Sequence, residues 1–493
     1  MKQLSGLDAS FLYLETASQF GHVSGLSIFE RPDDDYDPLD AWRRQIERRL
    51  HLLEPLRRKL RDVPLHLDHP FWIDDADFDI DFHVRFTALR PPGSDQQLAD
   101  LVAKVIARPL DRARPLWETY VIEGLPDDRF AVLTKLHHAT IDGASGAELM
   151  TMMLDATPEA IEDDEAEPDD SWKPERAPTD AEVLVRAGVS LVRKPGRAVL
   201  LSARMARDLG RATRNPALVS AANQLRGSLR GPVGAVLNVG RERSPETDVS
   251  GPLPRLSAPP TPFNAPITAK RSFAYGSTSL SAVKAVKHAV GATVNDVVMA
   301  VCAGGLRAWL EQHDALPDSP LTAMVPVSIR TGKEVERWTN RVSAIFASLP
   351  TDEPDPIERV HRVHEAMGDA KALFDAVPAD SLTDFAQFPP PAVFARAMRL
   401  ATRVRMPVNL VISNVPGPRE PLYAAGAELL HYYPVSTIID GQGLNITVQS
   451  YRDTLDFGLV AARDLVPDLP DLLDAILDDL VALGKATGVD VPR

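Results

Sequence analysis

The sequence predicts a mixed α/β protein of two domains, each a mixed sheet flanked by helices. Three observations lead there. The chain has 493 residues, more than one hydrophobic core usually organises. Short β-branched and aromatic runs alternate with longer amphipathic stretches in both halves. Between those halves the composition changes abruptly, with an acidic stretch, a basic stretch and a Pro/Gly-rich stretch in succession. The overall content, 44% hydrophobic and 25% charged, excludes a disordered or fibrous chain. The net charge of −15 disfavours a nucleic-acid partner, because an acidic surface repels phosphate.

The elements follow in order. Residues 21–30, GHVSGLSIFE, have the apolar content of a strand. Residues 39–60 carry Trp42, Ile46, Leu50 and Leu53 at helical spacing with a basic outer face, and predict one helix. Residues 129–137, RFAVLTKLH, alternate as a strand, and residues 146–154 read as a helix after a Gly/Ser turn. Residues 155–182 hold 12 acidic and two basic side chains, the density of a solvated linker. Residues 183–230 hold ten Lys or Arg against Asp208 alone, a local +9 that leaves −24 on the rest of the chain. Their apolar residues, Val183, Val189, Leu191, Val192 and Val199 to Leu201 among them, suit basic amphipathic helices. Such helices either lie on an anionic membrane surface or connect two domains. Residues 231–268 read as a crossover loop. The α/β pattern then restarts: helices over 280–290 and 295–310, strands over 321–327 and 342–349, a hairpin of 444–451 and 454–461 around Arg452-Asp453, and a helical stripe from Leu469 to Val481. The expected division is therefore 1–180, 181–268 and 269–493.

Cys302 is the only cysteine, so the chain can form neither an internal disulfide nor a cysteine-cluster metal site. This suits a reducing, intracellular compartment. The run VVMAVCAGGL around it predicts a buried, inert thiol. Asp8 and Glu15 interrupt the apolar N-terminus, which is unlike a signal peptide. No uncharged apolar stretch of about 18 residues occurs, so no transmembrane helix is expected.

The pattern that points to chemistry is His137-His138-Ala139-Thr140-Ile141-Asp142-Gly143, between a strand and a Gly/Ser turn. Adjacent histidines on an extended backbone face opposite ways, so they cannot share a metal as an i, i+4 helical pair does. One can face a cleft while the other packs inward. Asp142 can hold the turn and Gly143 permits its tight geometry. A histidine at a strand end with no nucleophilic partner suggests general-base catalysis on an alcohol at neutral pH. Asn295 and Asp296 fall at a helix start, where they either cap the helix or serve the site. Arg114-Pro115-Leu116-Trp117 offers either an apolar surface or core packing. Ser413-Asn414 ends a strand-like run, and Thr447 and Gln449 share one strand face that could reach a cleft.

These residues also carry a resemblance. The HHxxxDG pattern is similar to that of the CoA-dependent acyltransferases and condensation domains. Leu4-Ser5-x-x-Asp8-x-x-Phe11, Arg114-Pro115-Leu116-Trp117, Thr293-Val294-Asn295-Asp296, Val325-Pro326-Val327-Ser328-x-Arg330 and Ser413-Asn414-Val415-Pro416-Gly417-Pro418 stand around it in order. Together they resemble the bacterial wax ester synthase/diacylglycerol acyltransferase family over nearly the whole chain. That likeness implies two chloramphenicol-acetyltransferase-like domains with an active-site channel between them. It implies transfer of a long acyl chain from acyl-CoA to diacylglycerol or a long-chain alcohol, with no metal and no bound cofactor. His138 would be the general base, with His137, Asp142, Gly143 and Asn295 completing the catalytic group. Asn295 would orient the acceptor or stabilise the oxyanion. Pro115, Leu116, Trp117, Asp296, Ser413, Asn414, Thr447 and Gln449 would border the channel. The 183–230 segment would hold a cytoplasmic protein peripherally on membranes or lipid droplets. A non-catalytic lipid-binding scaffold and a condensation enzyme acting on carrier-protein thioesters are the alternatives.

Overall fold

The computed structural model describes residues 1–140, 150–159, 175–189, 258–328, 342–375 and 407–492. Asp142, Gly143, the acidic run at 162–170 and the stretch from 190 to 257 lie outside the described residues.

Two six-stranded mixed sheets dominate. The first contains β2 (His22–Glu30), β5 (Val84–Ala88), β6 (Trp117–Glu123) and β7 (Arg129–His137), together with β12 (Tyr423–Ala424) and β13 (Ala427–Val435). Its order is β12-β13-β2-β7-β6-β5, antiparallel throughout except at β5–β6. The second contains β8 (Arg271–Ser279), β9 (Leu321–Ser328), β10 (Val342–Leu349), β11 (Leu410–Val415), β14 (Leu444–Tyr451) and β15 (Thr454–Ala462). Its order is β10-β9-β11-β14-β15-β8, with β11 parallel to both neighbours. A three-stranded sheet of β1 (Lys2–Gln3), β4 (Phe71–Asp74) and β3 (Arg58–Arg61) sits apart.

The helices α1 (Gly6–Tyr13), α2 (Pro38–Arg49), α3 (Glu54–Arg57), α4 (Ile80–His83) and α5 (Asp95–Ile106) belong to the first half. The second half has α6 (Leu280–Val290), α7 (Val294–Gln312), α8 (Pro356–Asp375) and α9 (Leu469–Thr487). Helix α2 puts Trp42 and Ile46 under one face of the first sheet, against Phe29, Val121 and Phe130. Helices α6 to α9 bury a single apolar core over the second sheet, with Cys302 at its centre. Burial first, and then the nearby Asp479 charge, push the Cys302 thiol up, so it stays protonated. No single helix among the described residues is long and apolar enough to cross a membrane. The α6–α7 pair matches in composition, but it bends by 96° and lies inside this core.

One expectation needs correction. The single helix expected over 39–60 is α2, a turn, α3 and strand β3. Pro55 has no N–H to continue a helical ladder, and Arg58 begins a strand paired to Asp74. Strand order in the sheets does not follow chain order. β13 leaves the C-terminal half and pairs with β2 over Glu428–Val435, completing the first sheet. Its return to β14 makes a close seam. A Cβ on Gly458 of β15 would stand 1.7 Å from the Pro434 carbonyl oxygen, so only glycine lets β13 lie there. Alongside, the fully buried Asp456 carboxylate accepts from the Tyr432 N–H at 2.9 Å and the Ser277 hydroxyl at 2.7 Å, with His431 Nδ1 at 3.2 Å. A further apolar cluster bridges the halves, joining Leu98, Val102 and Ile106 of α5 to Phe273, Tyr433 and Val460.

Candidate active site

Strand β7 delivers the histidines to the sheet's end, where His137 pairs with His22. The chain then turns, and the Thr140 N–H donates to the His137 carbonyl at 2.9 Å. The backbone of the pair is held from two sides. The His137 N–H donates to the Leu116 carbonyl at 3.0 Å, and the His138 N–H donates to the Gly21 carbonyl at 2.7 Å.

The two side chains part company. His137 is buried at 1% exposure. Its Nδ1 accepts from the Ala139 N–H at 3.0 Å, and its Nε2 lies 3.2 Å from Glu15 Oε1. His138 is half-buried and stacks on Phe11, ring centroids 4.0 Å apart and 13° from parallel. Glu15 gathers more than His137. The Gly21 N–H donates to Oε1 at 2.8 Å, and Arg112 reaches Oε2 through Nε and Nη2 at 3.2 and 2.6 Å. Burial raises the Glu15 pKa, but the hydrogen bonds and charge of His137, Gly21 and Arg112 outweigh it and hold the carboxyl down at about 2.

The N-terminal motif is thereby explained. Ser5 caps α1 by accepting from the Asp8 N–H, and its hydroxyl donates to Asp8 Oδ2 at 2.7 Å. The helix so fixed presents Phe11 to His138. Pro115, Leu116 and Trp117 are all buried. Trp117 donates from Nε1 to the Leu56 carbonyl at 2.9 Å and stacks on His83 at 4.3 Å. The backbone of Leu116 also braces His137.

At the start of α7 the N-cap is Thr293, two residues before Asn295 and three before Asp296, the residues expected there from the sequence. Thr293 Oγ1 accepts from the Asp296 N–H at 3.1 Å, and Asp296 Oδ2 accepts from the Thr293 N–H at 2.9 Å. This reciprocal pair is a capping box. His364 Nδ1 lies 2.8 Å from the same oxygen. Asp296 is thus committed to the helix start, while Asn295 takes no part in the cap and remains half-buried.

On the second sheet Ser413 pairs with Thr447 and Val415 with Gln449 in parallel register, with Asn414 between. Asn445, Thr447 and Gln449 are buried and, two residues apart, share one face. Thr447 Oγ1 is 2.8 Å from Ser436 Oγ and 2.8 Å from Asn445 Oδ1. Next along, the Thr437 hydroxyl donates to the Phe20 carbonyl at 2.7 Å and the Asp440 N–H to Gln19 Oε1 at 3.1 Å. The polar stripe of the second sheet is therefore tied, through 436–440, to the 19–21 segment that holds His138. Gln449 Nε2 is buried with no hydrogen-bond partner among the described residues. Among those residues no group of three His, Cys, Asp or Glu side chains could hold a metal.

Comparison with known proteins fits this geometry. The model of the wax ester synthase/diacylglycerol acyltransferase catalytic domain matches residues 4–298, and that of the family's C-terminal domain matches 338–484. The chain belongs to this family. Membership makes it an acyltransferase. A probable diacylglycerol O-acyltransferase of Mycobacterium tuberculosis is 36% identical over 491 residues, 98% of each chain. The wax ester synthase/diacylglycerol acyltransferase of Marinobacter aquaeolei VT8 superposes with a TM-score of 0.69 at 31% identity, covering 99% of this chain and 100% of that one. The first condensation domain of the CDA synthetase, at 15% identity and TM-score 0.53 over 100% and 99% of the two chains, shares the fold. The mixed α/β, chloramphenicol-acetyltransferase-like architecture expected from the sequence stands on these likenesses. The catalytic-domain match runs through α6 into the start of α7.

Sequence reasoning missed Glu15 as a partner of His137, and it missed Arg112 altogether. It listed Phe11 within a motif without a role. The one available signal was the fixed distance from Phe11 to Glu15 on a capped helix and its exit turn.

Proposed function

We propose that this acyltransferase moves a long acyl chain from acyl-CoA to an acceptor hydroxyl, with diacylglycerol as the first acceptor and a long-chain alcohol as the second. The observation that carries the reading is the split between the histidines. One is buried and bonded on both ring nitrogens, and the other is half-buried and stacked on Phe11.

His138 takes the proton of the acceptor hydroxyl as the oxygen attacks the thioester carbonyl. The tetrahedral intermediate collapses with cleavage of the carbon–sulfur bond. CoA leaves as a thiolate and receives the proton from His138, so no acyl-enzyme forms. Asn295, Thr447 and Gln449 are the candidates to steady the oxyanion or orient the acceptor. The chemistry calls for neither a metal nor a bound cofactor. His137 and Asp296 position rather than react.

We also assign the protein to the cytoplasm, peripherally bound to membranes or lipid droplets through 183–230. The helix over 180–189 supports this. Val183 and Ala187 pack inward beside Val63 and Phe71, while Leu184, Val185 and Val189 face solvent. An outer face of that kind, continuing into a basic sequence, suits an anionic interface.

The test is free-CoA release by the purified protein from palmitoyl-CoA with diolein or with hexadecanol. Acceptor-dependent release supports the reading. Tight lipid binding without turnover on any acceptor would point to a scaffold, and turnover only with carrier-protein thioesters to a condensation enzyme.

A further inference from the structure

We propose that Glu15 and Phe11 are positioning residues of this active site, Glu15 acting through His137 and the Gly21 backbone, Phe11 through the His138 ring. The inference rests on His138 being the base assigned above.

The argument begins with hydrogen-bond chemistry. The Ala139 N–H can only donate, so the His137 Nδ1 that faces it at 3.0 Å accepts. In the neutral imidazole the proton then sits on Nε2, which points at Glu15 Oε1. Glu15 and the Ala139 N–H thus favour the same tautomer of His137 from opposite ends of the ring, and that tautomer closes the 137–140 turn from which His138 projects. The same Oε1 accepts from the Gly21 N–H, and the Gly21 carbonyl accepts from the His138 N–H. One carboxylate therefore braces the His138 backbone along two routes. Gly21 is essential to the second. A Cβ there would meet His137 Nε2 at 2.8 Å and the Phe11 carbonyl at 2.9 Å.

Arg112 completes the device. It binds the other carboxylate oxygen and also donates to the Leu12 carbonyl at 2.6 Å. Glu15 so joins the end of α1, the start of β2, the loop before β6 and the end of β7 at a single point. Phe11, one helical turn earlier, fixes the plane of the His138 ring by a face-on stack. The N-terminal segment holds both imidazoles, each by a different physical means.

A brace that merely stabilised the fold would behave differently from one that aims the base. The experiment is a double-mutant cycle of Glu15→Ala with His137→Gln, with Glu15→Gln and Phe11→Leu beside it, assayed with palmitoyl-CoA and diolein. Glu15→Ala is expected to lower kcat by about 10–100-fold, the scale of a small misplacement of a catalytic group. KM should stay within about twofold, because substrate contacts are untouched. Glu15→Gln, which keeps an acceptor for His137 and Gly21, should recover part of that loss. In the His137→Gln background Glu15→Ala should cost little more, since the shared route is already broken. Phe11→Leu should lower kcat at constant KM. Nitrogen-15 spectra of the histidines should show His137 as the Nε2–H tautomer in the wild type and a mixture in Glu15→Ala.

Unchanged kcat in Glu15→Ala, or full additivity with His137→Gln, overturns the proposal. If Glu15→Ala does not fold, Glu15→Gln and the tautomer spectrum decide it. A wild type without turnover on either acceptor would defeat the proposed reaction while leaving the tautomer measurement to judge the brace by itself.

Discussion

A single peptide unit separates His137 from His138, yet one imidazole is locked and the other presented. The difference arises from period-two alternation at the end of a strand, followed by what each face meets. Inward lies Glu15, and on the other side lies Phe11. His138→Ala should lower turnover by about 10²–10⁴-fold, the usual loss of a general base, with an unchanged thermal midpoint. An unaffected rate would remove His138 from the chemistry. Glu15 gives a second prediction, on stability against pH. Its carboxyl has an ordinary value of 4.5 and a folded value of about 2. A lowered folded pKa means the stabilisation is complete above 4.5 and drains away as pH falls toward 2. Melting curves across that window should be flatter for Glu15→Gln than for the wild type, by at most about 3 kcal/mol. Identical slopes would show that Glu15 contributes nothing to acid sensitivity. The histidine pattern was legible in sequence because its members are contiguous. Glu15 and Arg112 were not, since the contacts that define them span 122 and 97 residues.

At the level of elements, local chemistry decided what could be foreseen. β7, β10, β14 and α6 fall where alternation and helical spacing put them, with bounds that agree closely. The 444–462 hairpin forms although its turn is Arg452-Asp453, and Arg452 takes φ +50. Pairing along the full length of both strands outweighs an unfavourable turn residue. The 39–60 stretch was misread because an amphipathic period continued across Pro55, and periodicity carries no record of a missing N–H. The capping box of α7 offers the test at this scale. Thr293→Ala removes the side chain that accepts from the Asp296 N–H and should cost about 0.5–2 kcal/mol in chemical denaturation. It should also disturb activity, because Asn295 sits in the first turn of that helix. A loss of stability with fully retained kcat would separate Asn295 from the reaction.

For the whole molecule, the decisive feature is the exchange of β12 and β13 into the first sheet. No sequence pattern announces it. An apolar strand reads alike whichever sheet it joins, and the pairing of β13 with β2 spans some 400 residues. A fragment of residues 1–268 lacks this strand and leaves β2 as an open edge. It should aggregate or bind hydrophobic dye, and added 269–493 should rescue it. A soluble, cooperatively melting 1–268 fragment would contradict this. The charge asymmetry belongs to the same scale. Replacing Arg193, Arg197, Arg204, Arg207 and Arg211 with Gln should weaken sedimentation with anionic vesicles, and the remaining difference should shrink as salt rises. Equal binding would reduce that segment to a connector.

The exchanged strand also sets a clock on biosynthesis. β7 leaves the ribosome roughly 290 residues ahead of β13, an interval of about 15–60 s at ordinary bacterial elongation rates. Through that time the nascent chain carries its histidine pair and the unpaired edge of β2, but not the 436–440 segment that ties the two sheets at Phe20. The contact between the two sheets beside the histidine pair therefore forms only after most of the chain has been made. Until β13 arrives, the unpaired edge of β2 is open to pairing with other chains.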